Sequence, residues 1–477
     1  MGNIIKQSCI YRALVFLKAF FSKLMKRSVL VQCFLTDRFR SEYVESSLIV
    51  RFLEWLLKWA RVIAKKLKFD KIFENSIFAK PLIWTSITIA LAPVVPTMLV
   101  LVLAIASMLS LLLMASIHQD FQFQHYRINS WIVAFAVVIA VSSFISISMV
   151  ESIKIAMLMI AFVLFYFVVI NVITTRKQLI RMLYIMLIIG MFTAIYGIYQ
   201  YKFGDVYSQA WLDSDMFEDI RMRVYSTLEN PNVYGEYLLL IIPFTISLLW
   251  TEKGWKKKLF LLVAIGIMGI ALILTFSRGC WLGIILAIGL LAIIIDKRFI
   301  LLGIVMILLL PFFLPDTIMQ RFMSIGNMED TSTSYRVYIW MGTIAMLKDY
   351  WISGVGMGIT SFNTIYPLYA YNNIKAPHSH NLYLQIIVEY GIIGFIVIMG
   401  MLYHLFKTTM ISMHAKKDIL LAGLMSGMVG FLLQSMTDHT WYNYRVVLLF
   451  WVMIGLTITA SRINLKEKEN DQNCKCD

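Results

Sequence analysis

Residues 81–116 read PLIWTSITIALAPVVPTMLVLVLAIASMLSLLLMAS, a run with no charged side chain and with Pro93 and Pro96 inside it. In hydrocarbon every backbone N–H and C=O must be paired within its own segment, so such a run is helical, and about 20 residues cross the apolar layer. Left whole, the run is one kinked span. Cut at the prolines, which remove a helical donor and clash with the preceding turn, it is two. The choice sets the side of every later loop.

Charge decides for the cut. Helices are then expected near 81–94, 97–116, 131–149, 154–173, 179–200, 234–250, 259–277, 279–295, 299–314, 385–406, 419–436 and 443–460. Arg176-Lys177, Lys253 with Lys256-Lys257-Lys258, Lys297-Arg298 and Lys407 with Lys416-Lys417 all fall on one side, the cytoplasmic one, where Lys/Arg excess normally lies. The reading is an all-α polytopic membrane protein of about 12 transmembrane helices with both termini cytoplasmic. Two long polar segments, Tyr201 to Tyr234 and Pro315 to Asn381, and a short turn from Thr437 to Trp441 fall outside. Long segments of this kind are usually functional.

Composition agrees with this assignment. The chain has 477 residues, 60% hydrophobic and 15% charged, and a mean hydropathy of +0.75, which excludes an ordinary soluble domain. Its net charge of +15 does not indicate a nucleic-acid partner, because residues 1–80 alone hold 16 Lys/Arg against 6 Asp/Glu. Such a cluster beside membrane spans binds anionic lipid heads. Three regions follow: a basic cytoplasmic segment 1–80, a membrane domain 81–460 with a large external loop 315–384, and a polar cytoplasmic tail 461–477.

Within the first segment no cleavable leader is evident, since the apolar stretch from Ala13 to Phe21 is short and carries Lys18. From Leu48 to Leu67, Phe52, Trp55, Trp59 and Ile63 recur on one stripe and Arg51, Lys58, Arg61 and Lys65 on another. This is the pattern of an interfacial amphipathic helix. The five cysteines, Cys9, Cys33, Cys280, Cys474 and Cys476, offer no external pair for a disulfide.

Four polar features gather on the outer side. Arg221 and Arg223 precede Asn230-Pro231-Asn232, a helix start; Arg278 follows Ser277 between two apolar runs; Arg336 leads an aromatic stretch to Trp340; and Pro377-His378-Ser379-His380-Asn381 runs into a span containing Glu389. Taken singly, each arginine also suits snorkelling to headgroups or capping a helix end. Together they suit a phosphate, because a guanidinium stays charged and donates two parallel hydrogen bonds. A neutral imidazole accepts a proton from a hydroxyl near neutral pH. Glycosyl transfer from a lipid pyrophosphate uses both. The glycines of Gly354-Val355-Gly356-Met357-Gly358 do not match a nucleotide loop and read as a flexible turn. No metal or cofactor is expected: the His-x-His pair has only Glu389 as a local third ligand, and it lies over two helical turns away.

These residues resemble the O-antigen ligase and polymerase superfamily over roughly Arg221 to Phe450. The resemblance rests on Arg336 to Trp340, the glycine turn, His380-Asn381-x-x-Leu384 and Glu389-x-Gly391-x-x-Gly394, with Asn230-Pro231-Asn232 and Ser277-Arg278 in order before them. It departs from the family at Tyr350-Trp351, where relatives commonly carry proline, and in its basic N-terminal segment. The resemblance implies a GT-C-like fold in a bacterial cytoplasmic membrane and a glycan donor carried on undecaprenyl pyrophosphate. It also implies a metal-independent transfer to a growing polysaccharide or to another glycan, lipid or protein acceptor. By the same likeness Arg223, Arg278 and Arg336 bind the pyrophosphate and His380 activates the acceptor. His378 is taken as a second catalytic candidate, and Arg221, Asn232, Asn381 and Glu389 as supporting residues. Polymerase is favoured over ligase because no feature selects a distinctive acceptor. The rival class is a transporter or flippase of an anionic lipid-linked sugar, which places charge at the membrane midplane and often shows internal repeats.

Overall fold

The computed structural model describes residues 48–204, 222–309, 312 and 315–473. Arg221, the acidic run from Asp213 to Asp219, and all the cysteines except Cys280 lie outside the described residues. The chain divides into one unit of residues 1–60 with 125–127 and another of residues 61–124 with 128–477. No strand occurs among the described residues.

The first helices are α1 (Leu48–Lys66), where the amphipathic pattern placed one, and the short α2 (Phe69–Phe73). The apolar run opens into α3 (Pro81–Leu91) and α4 (Thr97–Ile117), with both prolines between them. The two pack together through Thr88 Oγ1 and Ser107 Oγ, 2.9 Å apart. Next come α5 (Arg127–Phe144), α6 (Met149–Val172), α7 (Arg176–Phe203), α8 (Pro231–Thr251), α9 (Trp255–Leu274), α10 (Arg278–Ile295) and α11 (Arg298–Leu309). The polar segment after them holds α12 (Asp316–Met323), α13 (Thr331–Tyr350) and α14 (Ile359–Ile365), and the chain closes with α15 (Leu382–Ala415), α16 (Ile419–Gln434) and α17 (Tyr444–Asn473).

Each expected span therefore has a helix. Among the described residues nine of these helices, α4 to α10, α15 and α17, are long and apolar enough to cross a membrane. The other three, α3, α11 and α16, have 11, 12 and 16 residues, so a count of twelve full crossings does not follow from length.

The two ends of the bundle sort as the proline cut requires. At one end Thr227 Oγ1 donates to Pro93 O at 2.7 Å, the Val224 N–H donates to Leu274 O at 2.9 Å and the Leu382 N–H to Ser435 O at 2.9 Å. At the other, Lys417 Nζ donates to Ile295 O at 2.8 Å, Arg462 Nη2 to Ile173 O at 2.6 Å, and Arg176 pairs with Asp418. The polar segments meet at the first end and the basic turns at the second.

In a lipid environment helices associate through close packing of small residues rather than through water exclusion. Here α16 lies against α8 and α10, and a Cβ on Gly430 would stand 2.6 Å from Gly283 O. The α17 helix is buried from Val446 to Asn464 and packs against α6 and α15. The segment before α15 has a small core of its own, in which Ile339, Met346, Phe362 and Tyr366 pack with Val355 and Val388.

The triple-glycine turn is a correction to the expected flexibility. Val355 and Met357 are buried, the Val355 N–H donates to Val388 O at 2.7 Å and Val355 O accepts from the Ile147 N–H at 3.2 Å. Gly356 has φ +96°, and a Cβ there would stand 2.0 Å from Ser146 Oγ. A side chain is excluded on both counts. The turn is a rigid seam that fixes the polar segment to the α5–α6 junction.

Candidate functional site

The site is built where three helices begin. Asn230 caps α8, its side chain accepting from the Asn232 N–H at 2.8 Å and the Val233 N–H at 3.4 Å, with Pro231 in the first turn. This is the preferred chemistry for a helix start. It leaves Asn232 as a bridge: Oδ1 accepts from Arg223 Nη2 at 2.7 Å, and Nδ2 donates to Asp438 Oδ2 at 2.7 Å. Arg223 is held further by Nε donating to Thr275 O at 2.8 Å.

Asp438 is the centre of the arrangement. Its Oδ1 lies 3.1 Å from His380 Nδ1 and accepts from the His439 N–H at 2.9 Å. Its Oδ2 is 3.8 Å from Arg336 Nη2. Burial alone would raise this carboxyl, but the hydrogen bond from His380 and the neighbouring charge of Arg336 hold it far below the usual carboxylate range. An anionic carboxylate accepts, so His380 donates through Nδ1–H and keeps the Nε2 lone pair. His380 has φ +48°, an uncommon conformation for a residue with a Cβ, and its carbonyl accepts from Trp340 Nε1 at 3.2 Å. Asn381 then caps α15 by accepting from the Leu384 N–H at 3.0 Å, and its amide donates to Met436 O at 2.8 Å.

His378 takes the opposite tautomer. Its Nδ1 accepts from the His380 backbone N–H at 3.1 Å, so in the neutral ring the proton sits on Nε2. The two imidazole centroids are 4.2 Å apart, and the His439 ring is 5.2 Å from that of His378. Burial and the neighbouring His380 and His439 push His378 well below its ordinary range, and burial takes His439 down to about 3.

These shifts predict a pH effect on stability. The folded values lie below the unfolded one of about 6.5, so the unfolded chain takes up protons first as pH falls. Stability is full above about 6.5 and declines toward the folded values. At pH 5 His439 alone costs about 2 kcal/mol. Melting of the detergent-solubilised protein should be lower at pH 5 than at pH 7, and the drop should shrink in His439→Gln.

The other arginines form a second tier. Arg278 Nη1 donates to Ser324 Oγ at 2.8 Å and Ser324 O at 3.0 Å and pairs with Asp330, which is fully buried. Arg321, 3% exposed, stands 3.8 Å from the other oxygen of Asp330. Asp330 caps α13, and Arg336 sits on the second turn of that helix, with Nη1 donating to Ser332 Oγ at 2.9 Å. Burial, with the charges of Arg321, Arg336 and Arg278, pushes the Arg223 guanidinium down to about 9.

Of the residues singled out in the sequence, His378, His380, Arg223, Arg336 and Asn232 come together around Asp438. Arg278 joins through the cluster but is committed to Asp330. Asn381 orients the loop, Glu389 lies two turns further along α15 with Gln385 Nε2 donating to it at 3.0 Å, and Arg221 lies outside the described residues. Asp438, His439, Arg321 and Asp330 were missed; Asp438 and His439 stand in the turn from Thr437 to Trp441, which the sequence marked only as external.

Donor atoms of His378, His380 and Asp438 lie within 4.8 Å of one another, a spacing open to a metal ion. Asp438 is thus the third donor that the local sequence lacked. The donors are already engaged, however: His378 Nδ1 by a backbone N–H, His380 Nδ1 by Asp438, and Asp438 by Arg336 and Asn232. A hydrogen-bonded dyad uses this set more completely than a metal does.

Residues 237–399 match the family described as O-antigen ligase. That segment includes Arg278, Arg321, Asp330, Arg336, His378 and His380 and leaves Arg223, Asn232 and Asp438 outside it. No curated protein matches the chain.

Proposed function

We propose, from the match of residues 237–399 to the O-antigen ligase family, that the chain transfers a glycan from an undecaprenyl-pyrophosphate donor to a growing polysaccharide at the extracytoplasmic face of a bacterial cytoplasmic membrane. The observation that carries this reading is the gathering of Arg223, Arg278, Arg321 and Arg336 beside the His380–Asp438 pair, with Arg336 Nη2 3.8 Å from Asp438 Oδ2 and Arg223 joined to Asp438 through Asn232. Such a cluster is relieved by a dense anion, and a pyrophosphate that gains charge as the sugar departs is stabilised most at that moment.

His380 takes the other half of the reaction. Asp438 fixes its tautomer and stabilises the imidazolium that forms, leaving Nε2 to accept the proton of the acceptor hydroxyl. His378 keeps its Nδ1 on a backbone N–H and serves as a donor that orients oxygen atoms. Arg336 is the guanidinium between dyad and cluster. A point charge does not reproduce its fork, so Arg336→Lys should lower turnover about 10- to 100-fold, measured as product per minute at saturating acceptor.

Reconstitution with a synthetic undecaprenyl-pyrophosphate oligosaccharide, with and without chelator, followed by product sizing, tests the reading. A ladder of products that survives the chelator is expected. A single addition moves the assignment to ligase, loss on chelation assigns the donor set to a metal, and absence of any transfer contradicts the proposal.

A further inference from the structure

A cavity of about 430 Å³ is lined by His378 and by none of Arg223, Arg278, Arg321 and Arg336. Its wall carries Gln385, Glu389 and Asn443 together with His439, Trp441 and Tyr442. The Tyr442 and His378 ring centroids are 4.8 Å apart. A second cavity of about 290 Å³ adjoins it and shares Pro96, Glu229 and Arg445.

This wall is ill suited to a phosphate. Its one guanidinium, Arg445, is occupied by Glu229 Oε1 at 3.3 Å and Thr227 O at 3.0 Å, and two carboxylates, Glu229 and Glu389, face the same space. It suits a neutral polyol. Aromatic faces are electron-rich and receive the C–H faces of a sugar, while amides and carboxylates take its hydroxyls.

We propose that this cavity is the acceptor subsite and takes a neutral sugar, whose hydroxyl approaches the donor past His378 while the pyrophosphate stays on the arginines. The inference rests on the transfer reaction proposed above. In that reaction the acceptor oxygen bonds to the anomeric carbon of the donor, and its proton passes to His380 Nε2. The bond from that carbon to the pyrophosphate oxygen breaks, and its electron pair leaves with the pyrophosphate. A direct displacement sets nucleophile and leaving group on opposite sides of the reacting carbon, which separate sites for acceptor and pyrophosphate allow. The Glu229–Arg445 pair stands where the two cavities join, so a longer acceptor chain runs past it from the first into the second.

The test uses the full-length protein in detergent and oligosaccharides released from the surface polysaccharide of the native cell. Wild type should bind them with an affinity that saturating inorganic pyrophosphate does not change. Thr97→Trp, at the cavity rim, should weaken that binding and raise the acceptor KM at least tenfold while donor affinity stays within twofold. Tyr442→Ala, which removes a ring from the wall without adding bulk, should act in the same direction and covers the case in which Thr97→Trp does not fold. Displacement of the oligosaccharide by pyrophosphate, no binding to wild type, or variants that lose donor affinity instead of acceptor affinity would overturn the assignment. Absence of transfer by wild type removes the proposed reaction but leaves the binding result readable. Transfer with wild-type acceptor KM in both variants removes the subsite alone.

Discussion

Asp438→Asn should cut the rate of transfer about 10³- to 10⁴-fold while leaving the protein inserted and the donor bound. The magnitude is that of removing the carboxylate that orients a catalytic imidazole in serine proteases. The local reason is a donor conflict. Asp438 Oδ1 faces His380 Nδ1 and the His439 N–H, and Oδ2 faces Asn232 Nδ2 and Arg336 Nη2. An amide offers one oxygen to these four donors and turns its own N–H₂ against two of them. If the N–H₂ faces His380, the ring must present a lone pair at Nδ1, and the proton moves to Nε2, where the base is needed. Removing a negative charge beside Arg336 should also leave donor affinity unchanged or tighter, measured with the lipid-linked donor. A purely structural role predicts loss of donor binding with the rate; a variant within tenfold of wild type would remove Asp438 from the mechanism.

Asp330→Asn should destabilise the protein by about 3–5 kcal/mol, the usual cost of leaving a buried ion without its partner. Asp330 is fully buried between Arg278 and Arg321, and it also caps α13 by accepting from the Ser332 N–H. Asparagine caps as well as aspartate, so the substitution isolates the charge. Melting in detergent should fall, and added inorganic pyrophosphate should restore more stability to the variant than it adds to wild type, because it supplies the missing countercharge. An unchanged melting temperature would mean that Arg278 and Arg321 do not depend on this carboxylate.

Much of the fold was legible because hydrocarbon leaves the backbone few choices. Runs such as 81–116 gave helices, and Pro93, Pro96 and Asn230-Pro231 gave their ends within a few residues. Length was less legible: α3 and α16 stop at Leu91 and Gln434, short of a full crossing. The histidines and three of the arginines stood out because charge is rare in so apolar a chain. Their counterions did not. Asp438 meets His380 across 58 residues, and Asp330 meets Arg278 across a similar stretch, so no local spacing announces either pair. The glycine turn misled for the same reason: its rigidity comes from Ser146 and Val388, remote in sequence, and not from the turn itself.

The central claim is that an imidazole held by Asp438 performs chemistry on a donor held by arginines, and the separation of binding from turnover in His380→Ala tests it most directly. With undecaprenyl-pyrophosphate oligosaccharide in proteoliposomes, the variant should bind donor with wild-type affinity and form at least 10²-fold less extended product. Product at the wild-type rate from His380→Ala, or loss of donor binding together with turnover, would contradict the account.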